Sequence, residues 1–75
     1  MLWEVRIAYK KGVQDTEGES TKEGLKMLGF GGVRGVHTAK VYKIEGEYSR
    51  EDIEQMCRRL LANPVSQDYE IKEQK

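Results

Sequence analysis

The stretch LGFGGVRG, residues 28 to 35, has the glycine density of a phosphate-binding loop. A phosphate cradle needs glycines that lead into a helix N-terminus, where free N–H groups and the dipole meet the anion. Gly29, Gly31, Gly32 and Gly35 miss the G-x-G-x-x-G spacing, and the segment leaves a helix and enters a strand. It reads as a helix-to-strand turn. His37 is the single histidine, so a metal or base role would need ligands from another chain, and a histidine on a strand face is the simpler reading. Cys57 lies inside an apolar helical stripe and reads as a small buried hydrophobe rather than a nucleophile. Arg58 and Arg59 suit an acidic patch, but a solvated helix face explains them more simply. Glu17, Glu19, Glu51, Asp52 and Glu54 gather at helix starts, where the dipole favours acids, and do not form a general acid and base pair. The residues supply no catalytic, cofactor-binding or metal set. Interaction is the work that remains.

Composition sets the frame for that reading. Seventy-five residues make one domain, spanning 1–75, near the low end of what folds alone. With 37% hydrophobic and 35% charged residues the chain is globular rather than disordered, with a modest core that gains from an oligomeric partner. Thirteen basic and thirteen acidic residues cancel, which argues against a nucleic-acid backbone as ligand. One cysteine fits a reducing compartment and excludes an internal disulfide. The N-terminal MLWEVRIAYKKG has no apolar signal region, and no stretch approaches the roughly 20 apolar residues of a membrane span. A cytoplasmic location is expected, with no membrane contact.

The elements follow from periodicity. Trp3, Val5, Ile7 and Tyr9 alternate with Glu4, Arg6 and Lys10, which predicts a half-buried strand. A helix should start near Thr16, which stands at the capping-box spacing from Glu19, with Asp15 as a competing cap. Leu25 and Leu28 are its strongest expected core contacts, and Gly29 suits the position after its last turn. Ser49 and Asp52 open a second helix, in which Ile53, Met56, Cys57, Leu60 and Leu61 form a core-facing stripe. Pro64 ends it, and Tyr69 and Ile71 belong to a last short strand.

Between the helices, VRGVHTAKVYKIE (33–45) alternates as one strand, and its middle, HTAK, has no turn residue. The expected class is α+β: a β-α-β-α-β two-layer sandwich, ferredoxin-like, with an antiparallel sheet and a long second strand. Such a strand outruns its neighbours and leaves an unpaired edge. Pairing with a second copy would cover it, with Val41, Tyr42 and Ile44 at the interface and a two-fold arrangement.

Several motifs together resemble the PurS-type small subunit of phosphoribosylformylglycinamidine synthase. They are Lys11-Gly12-Val13, Asp15-x-Glu17-Gly18, Leu28-Gly29-Phe30, Lys40-Val41-Tyr42, and Leu60-Leu61-Ala62-Asn63-Pro64-Val65 running on to Asp68-Tyr69. The Leu-x-Asn-Pro-Val…Tyr ending is the most specific. The chain departs from the family pattern at Thr16, His37, Ala39, Ser66 and Gln67. The resemblance implies a homodimeric, non-catalytic subunit that helps dock a glutaminase subunit to a large synthetase subunit. That complex converts formylglycinamide ribonucleotide, glutamine and ATP to formylglycinamidine ribonucleotide in purine synthesis. ATP and Mg2+ would belong to the large subunit and no cofactor to this chain. It further implies that the corner after the second helix faces the larger subunits, with Val65, Gln67 and Asp68 as contacts, and that dimers can pair again. The alternative class is a ferredoxin-like regulatory module that binds a small metabolite.

Overall fold

The computed structural model describes residues 1–74. Its elements are β1 (Leu2–Tyr9), α1 (Thr16–Met27), β2 (Ala39–Glu45), α2 (Arg50–Met56), which continues as one π-helical turn (Cys57–Leu61), and β3 (Gln67–Gln74). The three strands form an antiparallel sheet in the order β2-β1-β3. The β-α-β-α-β order and the antiparallel sheet are those the sequence predicts.

The register accounts for the core. Val5 stands between Tyr42 and Ile71, Trp3 faces Ile44 on β2 and Ile7 faces Tyr69 on β3, so each apolar residue of β1 meets at least one apolar or aromatic partner. Trp3, Val5, Ile7 and Ile71 are buried, and from above them α2 and the π turn bring Ile53, Cys57 and Ala62. The capping box that starts α2 is formed: Ser49 Oγ accepts from the Asp52 amide at 3.2 Å, and the Asp52 carboxylate accepts from the Ser49 amide at 3.0 Å. On the outer face, Glu4 stands between Lys43 and Lys72, and Arg6 lies opposite Glu70, the opposite-charge arrangement that steadies a wet sheet surface.

Three expectations change. The expected strand over 33–45 pairs with β1 only over Ala39–Glu45, and is no longer than the strands beside it. The ladder stops because Ala8 is the last partner on β1 and because the Asp15 carboxylate takes both the amide and the hydroxyl of Thr38. Second, the helical stripe breaks at Leu60, which is 83% exposed while Ala62 is buried. The Ala62 amide reaches back five residues to the Cys57 carbonyl at 2.9 Å. A π turn holds one residue more than an α turn, so the face rotates and Leu60 swings to solvent. Third, Leu28 is 75% exposed, and no residue of α1 belongs to or packs against the core cluster.

Candidate docking surfaces and the site residues

Asp15 is the polar centre of the molecule's first half. It caps α1, its Oδ1 accepting from the Gly18 amide at 2.9 Å. Its Oδ2 accepts from the Thr38 amide at 2.6 Å and the Thr38 hydroxyl at 2.7 Å. These bonds, led by that from Gly18 and then the Thr38 hydroxyl, hold the carboxyl below the ordinary aspartate range. Gly18 is required because a Cβ there would run into the Val36 carbonyl oxygen. The result is a latch between the entry to α1 and the approach to β2. Thr16 and Glu19 do not form the cap. The far end of α1 closes as a Schellman motif, with Gly29 at φ 101°, its amide on Lys26 and the Phe30 amide on Leu25.

The second feature is the corner Asn63–Gln67. The Asn63 amide donates to Gln67 Oε1 at 2.8 Å, the Val65 amide to Asn63 Oδ1 at 3.0 Å, and the Gln67 amide to the Asn63 carbonyl at 2.8 Å. Gln67, expected as a docking contact, is half-buried and braces the turn. Val65 projects from that braced turn, 83% exposed. Asp68 points to the outer face of the sheet, where it faces Lys10 at 3.9 Å. The three expected contacts therefore do not form one patch. Leu60, which periodicity assigned to the core, joins Val65 as an exposed apolar side chain flanking the corner. No sequence signal announced it, because a π turn is a product of packing.

The expected dimer contacts divide as well. Val41, 49% exposed, sits on the outer face of β2, whereas Tyr42 and Ile44 point to the core face and are half-buried. β2 is an edge strand, so one row of its backbone groups has no strand partner among the described residues. His37 is exposed beside Gly35 and joins no cluster of metal-ligating type among the described residues. Cys57 is fully buried, and burial pushes its thiol up, away from the reactive thiolate. Among the described residues no helix is long and apolar enough to cross a membrane.

Comparison with known proteins agrees with the motif reading over nearly the full length. The family model for PurS, described as phosphoribosylformylglycinamidine (FGAM) synthase, matches residues 2–75. The chain is 49% identical to the phosphoribosylformylglycinamidine synthase subunit PurS of Archaeoglobus fulgidus, covering 95% of each chain. It superposes with a TM-score of 0.83 on the crystal structure of Methanocaldococcus jannaschii PurS, one of the subunits of formylglycinamide ribonucleotide amidotransferase in the purine biosynthetic pathway. That match has 44% identity and covers 95% of this chain and 92% of the other. A chain of the PurLQS structure from Thermotoga maritima is also similar, at 26% identity and TM-score 0.69 over 99% of both chains. This chain belongs to the PurS family of FGAM synthase subunits.

Proposed function

We propose that this chain is the non-catalytic small subunit of a cytoplasmic FGAM synthase, an ATP-dependent ligase of purine synthesis. It acts as a homodimer that docks a glutaminase subunit to a large synthetase subunit, and ATP and Mg2+ are held by the large subunit. The observation that carries the docking role is the corner after α2. Leu60 stands exposed at the end of the π turn and Val65 on the corner that follows, which four hydrogen bonds through Asn63 and Gln67 fix. Apolar side chains on a rigid frame lose little conformational freedom on binding, which suits a docking contact. Arg59, exposed and next to Leu60 in sequence, adds positive charge, so an apolar depression with an acidic rim is the complementary surface.

Reconstitution tests this directly. Glutamine-dependent FGAM formation is measured with the large and glutaminase subunits at limiting concentration, with and without the chain. Activity should require all three, and Leu60→Asp with Val65→Asp should raise the concentration of small subunit needed at least tenfold. Full activity without the chain, or turnover by the chain alone, refutes the docking role. Tight binding of a small metabolite by the isolated chain would favour the regulatory reading instead.

A further inference from the structure

The sheet has a second edge, at β3, opposite the one at β2. β3 runs for 8 residues, pairs with β1 along its whole length, and has no strand on its other side among the described residues. α2 packs on the face that carries Tyr69 and Ile71. A helix on the face leaves the in-plane backbone groups of an edge strand uncovered. On the outer face, two rows of side chains cross the sheet toward this edge. One reads Lys43, Glu4, Lys72, and the other reads Val41, Arg6, Glu70. The charges in each row alternate in sign and stop at β3, on Lys72 in the first and on Glu70 in the second. Both of these side chains are exposed.

The triplet Glu70-Ile71-Lys72 is its own complement when read antiparallel. We infer that the β3 edge is a self-association seam, and that its occupant is β3 of a second copy, antiparallel, with a two-fold axis at Ile71. In that register Glu70 of each copy stands directly opposite Lys72 of the other on the outer face, and Ile71 meets Ile71 on the core face. Opposite charges placed so stabilise a strand pair. Both rows then continue without a break: Lys43, Glu4 and Lys72 of one copy lead to Glu70 and Arg6 of the other. Neighbouring registers fail. An axis at Glu70 or at Lys72 sets a like charge against itself, and an axis at Tyr69 sets Asp68 against Glu70. Charges on an edge usually serve to keep other strands away. Here they turn away the wrong registers and accept one. The seam uses no residue of β2 or α1 and does not require the dimer proposed above. It also leaves the docking corners open, because the two Gln67 residues end roughly 26 Å apart along the ladder at about 3.3 Å per residue.

Charge reversal tests the register. Glu70→Lys sets lysine against lysine across the seam, and Lys72→Glu sets glutamate against glutamate, so each variant alone should lose the association. Mixed in equal amounts, the two variants set the lysines of one chain against the glutamates of the other, and the association should return. Both positions are exposed, so circular dichroism should be unchanged in each. Sedimentation equilibrium at high micromolar concentration and low ionic strength reads the result. The wild-type mass should be at least about twice that of either variant, growing with concentration where β2 is paired as well. It should fall toward the variants' value as salt is added. Equal masses for wild type and both variants, or a mixture that stays at the variants' mass, overturn the seam. Weaker assembly of Glu70→Lys with the larger subunits, without any change in its own mass, assigns the edge to those subunits and overturns self-pairing too. The mass at which the variants settle, one chain or two, reads the dimer through β2 separately, so failure of that reading and failure of this one are told apart.

Discussion

The two helices begin alike and end in different circumstances. Each is capped by an acidic or hydroxyl side chain, Asp15 for α1 and Ser49 for α2, and each carries acids in its first turn. Yet α2 and its π turn bury Ile53, Cys57 and Ala62 against the sheet, whereas α1 buries a glycine. Capping and propensity decide where a helix starts. Packing decides what it contributes, because most helical stability in proteins comes from the buried face. The α2 half of the molecule is therefore a folded unit, and the α1 half is an arm held by one carboxylate.

The sharpest way to break that contrast is to delete core volume on one side and compare it with the other. Ile53 is fully buried between helix and sheet. Ile53→Ala should cost about 2–5 kcal/mol in urea denaturation, the usual range for a large-to-small change at such a site. Met27→Ala, at an 87% exposed position, should stay within about 0.5 kcal/mol. Comparable losses at the two sites would show that α1 packs on the same core.

The next effect concerns the latch. Asp15→Ala removes the acceptor for the Gly18 amide and for both donors of Thr38. It should unfasten α1, seen as faster amide exchange over residues 16 to 27 with little change in β1 and β3. Because the folded carboxyl titrates below its ordinary value of 3.8, its stabilisation is fully present above that value. It is lost as pH falls through the lowered folded value. The wild-type advantage in melting temperature over Asp15→Ala should therefore be flat through neutral and mildly acidic pH and shrink below about 3.8. An advantage that grows on acidification would contradict the assignment.

How much of this was legible beforehand depends on which contacts are local. The alternation of Trp3, Val5 and Ile7 and the stripe from Ile53 to Cys57 were legible because one face of one element decides them. Pro64 and Gly29 marked their turns for the same reason: each constrains its own backbone. The end of β2 was not legible. Residues 33–38 alternate as well as 39–45 do, and what stops the strand is Asp15, 23 positions from Thr38 in sequence. Leu60 falls outside the core because the extra residue in the π turn rotates the helical face, which a regular 3.6-residue period does not show. The docking candidates separated on register: Gln67 and Asp68 are neighbours in sequence, so in a strand they face opposite ways, one into the turn and one to solvent.

That separation sharpens the comparison on the α2 side. Gln67→Ala removes the acceptor for the Asn63 amide and should lower stability by about 1 kcal/mol, the net value of one protein hydrogen bond. Chemical denaturation measures it. A loss of assembly in this variant is therefore ambiguous, because the corner that presents Val65 loosens with it.

Asp68 gives the smallest expected effect and the cleaner experiment. Its side chain is 74% exposed, and Lys10, its partner at 3.9 Å, is 41% exposed. Exposed pairs of this kind contribute about 0–1 kcal/mol and are screened by salt. Asp68→Ala should thus leave the melting temperature nearly unchanged and add no slope with ionic strength. Any change in assembly with the larger subunits would then report contact rather than folding. If Asp68→Ala reconstitutes full activity at limiting concentration while Leu60→Asp with Val65→Asp does not, the docking surface is the apolar edge of the corner and excludes the outer face of the sheet. If Asp68→Ala weakens assembly as much as that pair does, the surface wraps around β3, and the division between a braced turn and a solvated face has no bearing on docking.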